Sequence, residues 1–94
     1  MEVNVSLAII YDEDKFLLQK KTDNARYSPG FWTFFGGEIE QGETPEQAVI
    51  RELMEELEYK VGNPKLTFTK KYKKENVLKG NFYFLEKYNG SKLV

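Results

Sequence analysis

An α/β fold, a mixed β-sheet carrying a single helix, is predicted for this chain by three observations. Apolar and polar residues alternate along residues 3–11, the period of a strand. An apolar stripe at helical spacing runs from Val49 through Leu57, behind a capping signature at Thr44. Two further alternating segments follow the break at Gly62-Asn63-Pro64.

The elements follow in order. Val3, Val5, Leu7 and Ile9 alternate with Asn4, Ser6, Ala8 and Ile10, giving a strand over 3–11. Asp12-Glu13-Asp14 is a turn, and Lys15–Lys21 reads as the returning strand. Thr22 to Gly30 is a polar loop closed by Pro29-Gly30. Thr33–Phe35 is a short strand feeding Gly36-Gly37, where glycine lets the backbone turn sharply. Thr44-Pro45-Glu46-Gln47 has the form of a capping box, with Thr44 at N-cap and Pro45 at N1, so a helix spans about 45–58. On it Val49, Ile50, Leu53, Met54 and Leu57 form the core face, with Ala48, Glu52, Glu55 and Glu56 opposite. Strands over about 65–73 and 80–88 complete the sheet, joined by a Lys/Glu/Asn-rich connection.

The chain has 94 residues, enough for one small domain over 1–94. No long apolar run marks a membrane span or a leader. With no cysteine a disulfide scaffold is excluded and a reducing cytoplasm is the expected location. Net charge is −1, but it is segregated. Eight acids and one base lie between Glu38 and Glu58 (−7), against seven acids and thirteen bases elsewhere (+6). A basic rim beside an acidic centre draws polyphosphates. Lys70, Lys71, Lys73, Lys74 and Lys79 could also meet nucleic acid. We weight edge-strand protection about two to one over that contact, since lysines blunt sheet-to-sheet pairing.

The acidic segment carries the chemistry. Glu52 relates to Glu55 and Glu56 as i, i+3 and i, i+4, so three carboxylates are neighbours on one helix face. Arg51 is the only base between Glu38 and Glu58. Taken alone, such a cluster is more often a solvated face. Gly36-Gly37 adds a backbone carbonyl, and carboxylate plus carbonyl oxygen suits Mg²⁺ or Mn²⁺. The chain has neither histidine nor cysteine, which excludes the usual zinc and iron–sulfur sites.

Gly37, Glu43, Arg51, Glu52, Leu53, Glu55 and Glu56 resemble the signature G-x5-E-x7-R-E-U-x-E-E-x-G-U of Nudix hydrolases, where U is aliphatic. Glu58 stands where that family has glycine, and Tyr59 where it has an aliphatic residue. The resemblance implies a Nudix-type mixed sheet with the loop-helix motif. The family's second covering helix is not evident in this chain. It implies metal ligands at Glu52, Glu55, Glu56 and the Gly37 carbonyl, with Glu52 or a neighbouring glutamate as base. Arg51 and Glu43 are implied to be the pair that orients Glu52. The implied activity is Mg²⁺-dependent hydrolysis of a phosphoanhydride in a nucleoside diphosphate derivative or nucleotide. The alternative is a catalytically silent domain that binds nucleotides or partners.

Aromatic residues complete the expectations. Phe16, Trp32, Phe34, Phe35, Phe68, Phe82 and Phe84 are expected mostly in the core. Tyr27 and Trp32 flank the loop and are the best candidates for base contact, with packing weighted slightly ahead of it. Gln19 and Lys20 leave the second strand toward the pocket, where surface polarity explains them equally well. One helix cannot cover both sheet faces, so the expectation is a dimer or larger assembly, or else a truncated form with weak activity.

Overall fold

The computed structural model describes residues 2–26 and 28–90. Its elements are β1 (Glu2–Asp12), β2 (Lys15–Phe16), β3 (Gln19–Lys20), β4 (Trp32–Thr33), β5 (Phe35–Glu38), α1 (Pro45–Leu57), β6 (Lys65–Lys74) and β7 (Val77–Lys87). β1 is the spine. One of its edges pairs in parallel with β7 from Glu2↔Leu78 to Tyr11↔Lys87. The other is shared antiparallel by β2 at Tyr11–Asp12 and by β5 at Val5–Ala8. β6 pairs antiparallel with β7 and forms the outer edge.

The returning strand expected over Lys15–Lys21 is broken. Leu17 still donates its N–H to Ile10 O at 2.9 Å. Beyond it β5 already holds that edge of β1, so Gln19–Lys20 leave to pair with Trp32–Thr33 in a separate two-stranded sheet. The strand expected over Thr33–Phe35 likewise ends at Thr33, and a new one runs from Phe35 to Glu38. Gly36 and Gly37 therefore belong to a strand rather than a sharp turn. Gly36 has φ 148°, and a Cβ there would collide with the backbone of Ser6. Glycine is needed because two strands approach closely.

α1 covers one face of the sheet. Ser6, Ala8 and Ile10 of β1 are buried beneath it, with Phe35, Val49, Leu53, Leu57, Tyr59 and Phe84. The Ser6 hydroxyl donates to Pro45 O at 2.7 Å, fastening the first helical turn to the spine. The capping box is present: Gln47 N–H donates to Thr44 Oγ1 at 3.1 Å and Thr44 N–H to Gln47 Oε1 at 2.9 Å. The core face needs two corrections. Ala48, expected opposite the core, is fully buried, whereas Ile50 and Met54 are 42% and 46% exposed. The contact stripe is rotated toward Ala48, whose methyl lets the helix approach the sheet closely. Phe16, Trp32 and Phe68 are also exposed, contrary to the expectation of core positions.

The helix ends at Glu58, which adopts a left-handed conformation (φ 51°, ψ 29°) while its N–H donates to Met54 O. Tyr59 then turns inward and is fully buried. Its hydroxyl meets Glu86 Oε2 at 3.2 Å and accepts from Asn89 N–H at 3.1 Å. Glu86 in turn accepts the N–H groups of Gly62 (2.7 Å) and Asn63 (3.1 Å). A buried carboxylate is thus paired with donors from the loop after the helix, as burial requires. Burial first, and the nearby Glu86 charge as well, push the Tyr59 pKa up to about 12.

Candidate functional site

The acidic loop and helix are organised around one guanidinium. Arg51 forms a bidentate pair with Glu43, Nε to Oε2 at 2.7 Å and Nη2 to Oε1 at 3.0 Å. Nη2 also donates to Glu38 O at 3.1 Å, and Nη1 to Glu52 Oε1 at 2.9 Å. One side chain therefore joins β5, the loop and the helix. Glu43 closes the loop further by accepting Glu40 N–H at 2.9 Å. The hydrogen bonds from Arg51, then that from the Glu40 backbone, hold the Glu43 carboxyl below its ordinary pKa. The Glu43 hydrogen bond, more than any other contact, raises Arg51 further above its own.

Glu52 lies against the glycine strand. A Cβ on Gly37 would come to 2.6 Å from its carboxylate, so any side chain there would push the Glu52 carboxylate aside. Glu56 sits one helical turn on and accepts Gly36 N–H at 3.2 Å. Desolvation of its carboxylate, then the charge of Glu52, push the Glu56 pKa above the ordinary carboxylate value. Lys21 and Gln19 act in the opposite direction on it. Glu55 is placed differently: its side chain is 58% exposed against 17% for Glu52, and it leans 3.3 Å from Arg51 Nη1. Among the described residues no three acidic side chains converge into a formed metal cage. The donor set nevertheless fits a hard divalent cation. Glu52 and Glu56 repel one another beside the glycine strand, and both offer only oxygen donors.

The uncovered face of the sheet forms a cleft of about 540 Å³ that begins at Gly36 and Gly37. Val3, Val5 and Leu7 of β1 make its floor, and Lys21, Arg26, Lys74 and Lys79 are among its walls. Gln19 lines it and donates to Phe34 O at 3.4 Å. Tyr72, Asn81 and Tyr83 also line it. These residues were absent from the sequence-based site. The signal that could have found them is the two-residue alternation of β6 and β7, which puts them on the face opposite Phe84. Lys20 and Trp32 are not among the lining residues, and Tyr27 lies outside the described residues.

A carboxylate-lined helix joined by a glycine strand to a cationic cleft defines a class, and comparison with known proteins gives it a family. Residues 1–92 match the family model described as the NUDIX domain, and the chain belongs to that family. Among curated relatives it is 36% identical over 56 residues to an 8-oxo-dGTP diphosphatase of Proteus vulgaris, covering 60% of this chain and 50% of that protein. It is 43% identical over 49 residues to the nucleoside triphosphatase NudI of Salmonella arizonae, covering 52% and 35%. The chain thus matches half or less of the length of these curated relatives. Among solved structures, the E. coli ORF135 protein superposes with a TM-score of 0.82 at 25% identity, over 99% of this chain and 66% of that one. The MutT protein from Methanosarcina mazei Go1 gives 0.84 at 22% identity, over 99% and 68%, a likeness of fold.

Proposed function

We propose that the chain, as a single Nudix-type domain over residues 1–94, hydrolyses a phosphoanhydride in a nucleotide or nucleoside diphosphate derivative with Mg²⁺ or Mn²⁺. The observation that carries this reading is the Arg51 fork, which holds Glu52 against Gly37, a residue that also lines the cleft containing Lys21, Arg26, Lys74 and Lys79. Glu52, Glu55, Glu56 and the Gly37 carbonyl would hold the cation, which supplies charge neutralisation of the phosphate and a lowered pKa for water. Arg51 and Glu43 hold the Glu52 carboxylate in one orientation, and Glu52 receives the proton of the attacking water. Lys21, Arg26, Lys74 and Lys79 draw the polyphosphate along the cleft. The names of the two curated relatives make nucleoside triphosphates, oxidised purines included, the first substrates to try.

The test is a screen of nucleotides with Mg²⁺ or Mn²⁺, with products read by mass. Glu52→Gln should lower kcat by about 10²-fold or more, the scale of a lost general base. Unchanged turnover at saturating metal removes Glu52 from the chemistry. A catalytically silent, nucleotide-binding domain is the second reading. It is favoured by Glu55, which is drawn to Arg51 rather than toward Glu52 and Glu56. Nucleotide binding without metal-dependent product would select it. We place the protein in the cytoplasm on the strength of its cysteine-free sequence. We also keep self-association among the proposals, because the described residues include one helix for two sheet faces.

A further inference from the structure

A guanidinium carries a fixed number of N–H donors, and carboxylates crowd one end of the Arg51 fork. Nε and Nη2 are spent on Glu43 and Glu38 O. Nη1 has two N–H groups and three carboxylates around it. Glu52 takes one N–H at 2.9 Å. Glu55 shares the other between its two oxygens at 3.3 and 3.4 Å, long for a charged pair. Glu40 Oε1 stands third at 3.6 Å, inside ion-pair range but beyond a hydrogen bond. One donor is thus contested by two carboxylates, and neither holds it well. Their mounts differ. Glu55 rides on the helix, one turn from Glu52 and next to Glu56. Glu40 is fixed to the loop: its N–H donates to Glu43 Oε1 at 2.9 Å, and its carbonyl accepts Glu43 N–H at 3.1 Å. Because Arg51 grips Glu43, the Glu40 backbone is tied to the same guanidinium. Its side chain, 68% exposed, has room to swing.

That arrangement gives Glu40 a task. If Glu52, Glu55 and Glu56 hold a divalent cation, Glu55 has to leave Arg51 Nη1, and the N–H it leaves loses its acceptor. We infer that Glu40 is a positioning residue for this site: its carboxylate closes onto Arg51 Nη1 as Glu55 turns toward Glu52 and Glu56. A shift of about 0.8 Å takes Glu40 Oε1 from 3.6 Å to a charge-assisted hydrogen bond. The fork that orients Glu52 then keeps the same number of partners with Glu55 or without it. Water could satisfy the vacated N–H, but only a carboxylate also balances the guanidinium charge. Without Glu40, Arg51 holds Glu55 back, and cation binding costs an ion pair. The role of Glu40 rests on the proposed cation site, and the measurements below separate the two.

The experiment compares Mn²⁺ affinity, read from the free-ion signal in electron paramagnetic resonance, in wild type, Glu40→Ala, Glu55→Gln and the double variant. Glu40→Ala should weaken Mn²⁺ binding about threefold, the scale of one exposed ion pair. In the Glu55→Gln background the same change should cost less than about 1.5-fold, because no carboxylate has to be released from Arg51. In EDTA the urea midpoints of wild type and Glu40→Ala should coincide, which a merely structural loop contact would not allow. A crystal structure with Mn²⁺ should place Glu40 Oε1 within hydrogen-bond distance of Arg51 Nη1, and Glu55 away from it. Equal losses from Glu40→Ala in both backgrounds overturn the inference, since Glu40 would then act only as a distant negative charge. Unchanged affinity in Glu40→Ala overturns it too. So does bound Mn²⁺ with Glu55 still on Arg51, and that structure decides the matter if Glu55→Gln binds too weakly for the comparison. No Mn²⁺ binding in wild type defeats the cation site itself. Binding that Glu55→Gln leaves unchanged keeps the cation on Glu52 and Glu56 and overturns the role of Glu40 alone.

Discussion

Arg51 cannot be replaced by another cation without loss. Its three nitrogens reach Glu43, Glu52 and Glu38 O at once, a geometry that a point charge on a flexible stem cannot copy. Arg51→Lys should lower stability by about 1.5–3 kcal/mol, the range for hydrogen bonds to charged groups, as read by chemical denaturation. Glu56 gives a pH test with a definite sign. Its folded pKa is raised, so it contributes stability at low pH that is lost as pH rises through that raised value. In EDTA, wild type should therefore fall behind Glu56→Gln as pH climbs from the ordinary carboxylate value toward neutrality. On the proposal that Glu56 holds the cation, adding Mn²⁺ should reverse the order; equal Mn²⁺ affinity in both proteins excludes Glu56 from the site. Glu43 has the opposite sign. Its lowered pKa gives stability above its unfolded value that disappears as pH falls through the folded one.

At the scale of elements, Glu58, Glu75 and Asn76 sit in left-handed backbone that favours glycine. Glu58 occupies the left-handed region at the helix end. Glu58→Gly should stabilise the protein by about 1 kcal/mol, measured as a shift in the urea midpoint at constant slope. The β6–β7 hairpin turns on Glu75 and Asn76, with φ 53° and 64°. Both lie where a two-residue turn prefers Asn-Gly, so Asn76→Gly should add about 0.5–1 kcal/mol. The helix and its caps were legible because they are local: Thr44, Pro45, Gln47 and the glutamate spacing all act within a few residues. The long strands β1, β6 and β7 were legible from alternation for the same reason. The break after Leu17 was not, because it depends on β5 reaching the edge of β1 first. The rotation of the helix toward Ala48 was equally hidden, since it depends on the small residues Ser6 and Ala8 beneath it. In the site, the neighbourhood of Glu52 and Glu56 follows from i, i+4 spacing, whereas Glu55, expected beside them, pairs with Arg51 instead. Arg51's reach to Glu38 O and the cleft residues Tyr72, Asn81 and Tyr83 came only from strands meeting across the sheet.

At the scale of the whole molecule, charge is divided between an acidic helix face and a basic sheet face. Neutralising the acidic pole should strengthen the fold. A saturating divalent cation at about 100 times its Kd should raise stability by about 2.7 kcal/mol. A calorimetric Tm that does not move with added Mg²⁺ or Mn²⁺ contradicts a cation held by the native state. One further consequence comes from the long parallel pairing of β1 with β7. Residue 2 lies beside residue 78, and residue 11 beside residue 87. Every other pairing of β1 covers only a few residues. On the ribosome, β1 must therefore wait for β7 before the centre of the sheet can close. Until then Ala8, Ile10 and the underside of the helix have no β7 against which to dry. Such distant pairing slows folding, because the loop must be closed before its contacts repay the entropy. The protein's yield in cells should depend on the rate of synthesis through β6 and β7 more than on the stability of the finished domain.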